Sequence, residues 1–213
     1  MIALVNPNTS HATTSAMLRI ARGAAPDLPL RGVTAPFGVP LITEPRALAH
    51  AARAVAHLGP HLRTDRAVIV AAFGDPGCVA LRRRLRVPVT GIAEASLREA
   101  DAVGRVAVVT TTPELSGSIA ATARSLDLTN FVGTWITKGV PAQLHANPRA
   151  LQEALLTACH GAAQSRAEVV VIGGGPLAVA ARAIAPHAPV PLIEPIAAAL
   201  RLTRARLARK AVR

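Results

Sequence analysis

Tyrosine is absent from this 213-residue chain, and aromatic residues make up only 2% of it. Proteins that grip single-stranded nucleic acid use aromatic rings on which bases stack. The shortage therefore speaks against nucleic acid as a partner, although the net charge is +12. Carboxylates are also scarce: 12 Asp and Glu stand against 24 Lys and Arg, and the only lysines are Lys138 and Lys210. The arginines scatter along helical segments and are densest from Arg201 to Arg209, where a solvated helix face accounts for them. Cysteine occurs only at Cys78 and Cys159, with no metal-ligand spacing. Free thiols in a reducing compartment are expected, with no metal. Charged residues total 17% and hydrophobic residues 51%, which excludes a disordered chain. No apolar run reaches membrane-spanning length without a charge, a proline or a turn signal. The opening Met1-Ile2-Ala3-Leu4-Val5-Asn6 reads as a strand rather than a charged leader. The expected location is the cytoplasm, with no membrane partner.

What is abundant is Ala, Val, Leu and Ile, and it is arranged twice. Val68-Ile69-Val70-Ala71-Ala72 runs into Phe73-Gly74-Asp75-Pro76-Gly77, and Val169-Val170-Val171-Ile172 runs into Gly173-Gly174-Gly175-Pro176. Each is followed by an Ala/Arg-rich helical stretch and then a short Pro-Val segment, Val87-Pro88-Val89 and Val190-Pro191-Leu192. Ala3-Leu4-Val5-Asn6 and Ala107-Val108-Val109-Thr110 pair in the same way, each opening a hydroxyl-rich turn. Short apolar runs alternating with helical segments predict an α/β chain with buried parallel sheets. The duplication predicts two pseudo-symmetric Rossmann- or flavodoxin-like lobes with a cleft between them. The boundaries read as 1–102, joined by a C-terminal helix at 195–213, for the first lobe and 103–194 for the second.

Four turns follow predicted strands and precede predicted helices: Asn6 to Ser10, Phe73 to Gly77, Thr110 to Thr112, and Gly173 to Pro176. Open α/β sheets bind ligands at such strand ends. Helix N-termini there offer unpaired N–H groups and a partial positive charge. Substrate-binding candidates are Asn6, Asn8, Thr9, Ser10, Phe73, Gly74, Thr111, Thr112, Gly174, Gly175 and Pro176. The amides of Phe73, Gly74, Gly174 and Gly175 would hold an oxygen, with Asn8, Thr9, Thr111 and Thr112 orienting it. A small molecule with carboxylate or carbonyl groups suits such a pocket. The glycine run is not read as a G-x-G-x-x-G dinucleotide fingerprint, because no glycine stands where the spacing would continue. No cofactor is expected.

These turns together resemble the signature turns of the aspartate/glutamate/hydantoin racemase superfamily, in its hydantoin and allantoin racemase branch. The likeness spans nearly the whole chain in order and spacing. It implies a cofactor-independent isomerase in which two cysteines flank the acidic carbon, one thiolate removing a proton and one thiol supplying it. The family positions fall on Ala72 and Gly174, so both thiols are missing. The resemblance thus implies a hydantoin-, ureido- or amino-acid-like substrate handled by altered, cysteine-independent proton chemistry. The alternatives are a catalytically inactive binding paralogue, or a lyase or hydrolase on the same scaffold. A homo-oligomer is expected.

Asp75 is the best-placed ionisable side chain for a catalytic role, with helix capping as its competing reading. Cys78 falls in the first turn of a helix, where the dipole would lower its pKa. Cys159, mid-helix, reads as structural. His11 reads as the only histidine near a predicted turn; Glu44, Glu94 and Glu194 are rim or capping candidates.

Overall fold

The structure, a computed structural model, describes residues 1–211. The first half contains β1 (Ile2–Asn6), α1 (His11–Ala24), β2 (Leu30–Thr34), α2 (Pro45–His57), β3 (Ala67–Val70), α3 (Cys78–Arg84), β4 (Val89–Gly91) and α4 (Ile92–Asp101). The second contains β5 (Val106–Thr110), α5 (Ser116–Ser125), β6 (Phe131–Ile136), α6 (Pro141–Ala146), α7 (Pro148–Gln164), β7 (Val169–Ile172), α8 (Ala178–Ile184), β8 (Leu192–Ile193) and α9 (Pro195–Ala211). Two four-stranded parallel sheets result, ordered β2-β1-β3-β4 and β6-β5-β7-β8. The order is the same in both, so the repeat in sequence is a repeat in space. No helix among the described residues is long and apolar enough to cross a membrane.

The strands β1, β3, β5 and β7 are buried throughout and apolar except for Asn6 and Thr110 at the ends of β1 and β5, because both faces of each sheet are covered. In the first sheet Ile2, Leu4 and Ile69 face a core that includes Met17 and Ile20 of α1 and Ile196 and Leu200 of α9. The opposite face, with Val5, Val68 and Val70, packs on Val55 and Leu81 of α2 and α3. In the second sheet Val106, Val108 and Val171 meet Leu97 of α4 and Ile119 of α5. Its other face, with Val109 and Ile172, meets Leu151 and Leu155 of α7 and Ile184 of α8. The helix after each fourth strand therefore lies on the other lobe: α4 covers the second sheet and α9 returns to the first.

This exchange explains the basic C-terminal helix, which is more than a solvated face. Arg201 pairs with Glu99 at 2.6 Å, Arg204 with Asp27 at 2.8 Å, and Arg206 with Glu94 at 2.6 Å. Thr203 donates to Thr90 at 3.0 Å, and Lys210 to the Arg86 carbonyl at 2.6 Å. The exposed pairs contribute about 0–1 kcal/mol each. Burial of Ile196 and Leu200, at about 1.5–3 kcal/mol apiece, does more to hold the helix in place.

The register sets the strand ends level. Val5 sits opposite Val70, and Val109 opposite Ile172. The turns leaving β1 and β3, and those leaving β5 and β7, therefore emerge side by side in each lobe. The helices expected after the Thr110 to Thr112 and Gly173 to Pro176 turns each begin with a 3-10 turn, Pro113–Leu115 and Gly175–Leu177. Helix α6 has no counterpart in the sequence reading. Six residues make less than two turns, too short for an apolar period to show.

Candidate active site

One hollow collects residues from both lobes: Asn8, Ala72 and Phe73 from the first, Thr111, Thr112, Gly174, Gly175 and Pro176 from the second. Ala72 and Gly174 share it. Its volume is about 50 Å³, several times the roughly 10–15 Å³ that one water requires. Leu41, Ile42, Leu115 and Leu177 give it apolar walls.

The first turn is built around Asn6, whose side chain is 1% exposed. The two hydrogens of its Nδ2 are shared among three acceptors, Asn8 Oδ1 at 2.7 Å, the Ser10 carbonyl at 3.0 Å and Thr14 Oγ1 at 3.0 Å. The Ser10 amide donates to Asn8 Oδ1 at 2.9 Å. An amide nitrogen can only donate, so this bond fixes which way the Asn8 carboxamide points. Asn8 Nδ2 makes no hydrogen bond among the described residues and is left as a donor in the hollow. Asn6 and Ser10 thus position Asn8 without lining the cavity. Ser10 also caps α1 by accepting from the Thr13 amide at 3.2 Å, and Thr9 donates its amide to the Val39 carbonyl at 3.0 Å.

The backbone supplies further donors. The amides of Phe73, Thr111, Thr112 and Gly175, all cavity residues, donate to no protein acceptor among the described residues. Phe73 and Thr111 are 7% and 2% exposed, and buried amides left without an acceptor are costly. An acceptor-rich ligand would satisfy them. The Gly174 amide differs from expectation: it donates to the Ile172 carbonyl at 3.1 Å and is already committed. Thr110 Oγ1 donates to the Gly173 carbonyl at 2.9 Å, pinning the turns after β5 and β7 together.

The three consecutive glycines have different reasons. A β-carbon at Gly173 would lie 2.7 Å from Val108 Cγ1, and one at Gly175 would lie 2.6 Å from the Ala71 carbonyl oxygen and from Met17 Sδ. Close packing excludes side chains at both. At Gly174 the nearest atoms are in the movable Leu177 side chain, at 3.3 Å. Of the three, the middle glycine alone meets no atom closer than 3.0 Å, although its φ of +158° disfavours a side chain.

Asp75 lies outside the cavity lining. Its carboxylate accepts from the amides of Ala93 and Glu94 at 2.8 and 2.7 Å, capping α4 from a distance. Gly91 makes this approach available, because a β-carbon there would fall 2.0 Å from the carboxyl carbon. Asp75 has φ +51°, a left-handed conformation that Asp tolerates better than most residues. Burial pushes its pKa up to about 7, against the pull of the two amides. Replacing the cap by Asp75→Ala is expected to cost about 1–2 kcal/mol, read as a lower urea midpoint; an unchanged midpoint would show the cap to be idle. Gly74 sits in the same turn, outside the lining.

The remaining candidates are placed elsewhere. Cys78 begins α3 as expected, but burial pushes its thiol well above the ordinary value, and the neighbouring Asp75 charge acts in the same direction. Desolvation outweighs the helix dipole, so a lowered pKa is corrected to a raised one. Burial likewise pushes Cys159 up to about 11. His11 is exposed, its Nδ1 3.2 Å from Thr34 Oγ1. Glu194 accepts from the amides of Ile196 and Ala197 at the start of α9. Glu94 is buried among arginines, and Glu44 precedes α2 without a side-chain cap bond. The histidine in the cavity wall is His145 on α6, not His11. Nothing in the local sequence marked it, because α6 itself was not legible.

The Asp/Glu/Hydantoin racemase family profile matches residues 2–203. The chain belongs to this family. It is 28% identical to hydantoin racemase from Paenarthrobacter aurescens over 217 aligned residues, covering 97% of this chain and 91% of that protein. Its structure matches allantoin racemase from Klebsiella pneumoniae with a TM-score of 0.91 at 28% identity, over 98% of this chain and 88% of that one. Allantoin racemase from Pseudomonas fluorescens matches with a TM-score of 0.89 at 27% identity, over 99% and 91%. Within this racemase family frame the shared hollow holds alanine and glycine at the two positions expected to carry thiols.

Proposed function

We propose that the protein is an isomerase-type enzyme that labilises the acidic C–H of a small hydantoin-, ureido- or amino-acid-like molecule without cysteine. The observation that carries this reading is the set of unpaired donors, Asn8 Nδ2 and the amides of Phe73, Thr111, Thr112 and Gly175, around one small cavity. Removing a proton next to a carbonyl moves charge onto its oxygen. Fixed donors aimed at that oxygen stabilise the enolate more than the ground state, which is what lowers the barrier. The apolar walls exclude water and strengthen those hydrogen bonds.

Incubation with single enantiomers of 5-substituted hydantoins, allantoin and amino acids in D₂O tests the reading. Deuterium is expected at the α-carbon of at least one class, followed by NMR. Saturable binding without exchange would instead identify a catalytically silent binding protein.

A further inference from the structure

We infer that the His145 imidazole is the base that removes and returns the substrate proton. This deepens the proposed function and rests on it. Among the described residues His145 is the one titratable side chain lining the cavity. Its position is built by the chain around it. Pro141 at the first turn presets the backbone for α6. Leu144, 7% exposed, is anchored in the second-lobe core. Asn147 ends α6 and caps α7 by accepting from the Ala150 amide at 3.1 Å. His145 is thereby held at the wall where Leu41, Gly175 and Pro176 separate the cavity from a second hollow along α1.

Its ring nitrogens have no hydrogen-bond partner among the described residues. Among the described residues no other titratable side chain lines either hollow, from α1, α8 or the loop after β2. The carboxylates of Glu44 and Glu114 lie in a neighbouring depression beyond Leu41. Burial lowers the imidazole pKa, so the ring is neutral at pH 7 and ready to accept a proton.

The step balances without a co-reactant. A neutral imidazole nitrogen takes the α-proton, and the C–H electron pair moves into the carbonyl to give an enolate. The imidazolium then returns a proton to carbon and the pair flows back. A single base works on one face of the substrate. In D₂O the imidazolium exchanges its proton, so deuterium enters with retention faster than configuration inverts.

His145→Gln is expected to leave binding of the exchanging substrate within about threefold and to slow α-deuterium exchange by about 10²–10⁴. In the wild-type protein log(kcat/KM) for exchange should rise to a plateau through a midpoint below the ordinary histidine value of about 6.5. That rise should disappear in the variant. Exchange unaffected by both His145→Gln and His145→Asn overturns the inference and leaves the proposed function standing. A wild-type protein that exchanges no substrate of the panel overturns both.

Discussion

The double variant Ala72→Cys, Gly174→Cys is expected to racemise the exchanging substrate at least about a hundredfold faster than the wild-type protein. Both positions line one hollow, so thiols there would stand on opposite lobes around a shared ligand. Ala72 already carries a β-carbon, and the added sulfur extends into the cavity. Gly174 has φ +158°, a conformation that L side chains rarely adopt, so a cysteine there strains the backbone, while its new β-carbon meets only the movable Leu177 side chain at 3.3 Å. A two-cysteine racemase needs one thiolate and one thiol at once, which gives a bell-shaped pH profile belonging to the pair. Each single variant supplies one face only. Exchange should then outpace inversion in the singles, and the two rates should converge in the double. A folded double variant that binds substrate yet inverts no faster than wild type would show that these positions do not face the reacting carbon.

The sequence carried the architecture because the repeat and the apolar runs are both local signals. Val68 to Val70 and Val169 to Ile172 are buried on both faces, and a doubly buried strand cannot help reading as a continuous apolar run. The turn residues were legible for the same reason: Asn8, Thr111 and Gly174 fall just after such runs. What stayed hidden depends on contacts between distant segments. The Asp75 carboxylate and the amides of α4 are brought together only by the β3–β4 pairing and the space at Gly91. His145 sits on a helix too short to show a period. The raised pKa of Cys78 comes from burial, which a helix-start pattern does not report.

Glu94→Gln is expected to lower stability by about 2–4 kcal/mol at pH 7, with a fall in Tm of about 4–16 °C for a chain of this size. Glu94 stands in the first turn of α4 and is 7% exposed. Its carboxylate pairs with Arg206 of α9 at 2.6 Å and with Arg82 of α3, and has Arg98 at 3.7 Å. Arg206 and Arg82 also donate to the Val89 carbonyl at 2.9 and 3.0 Å, so one carboxylate ties α3, β4 and α9 together. Removing the charge leaves two guanidinium groups facing each other without an anion. Their side chains are 40% exposed at Arg82 and 28% at Arg206, and solvent screening tempers the cost. Burial alone would raise the pKa of Glu94, but the hydrogen bond and charge of Arg206, with Arg82, outweigh it and hold the carboxyl below its ordinary value. The folded protein therefore binds fewer protons here than the unfolded chain. The contribution is fully present above the unfolded value, about 4.3, and drains away as pH falls through the folded one. The gap in Tm between wild type and variant should be widest near pH 7 and close toward pH 3. A gap that stays constant across that range would assign the loss to packing at α4 rather than to the charge that joins the exchanged helices.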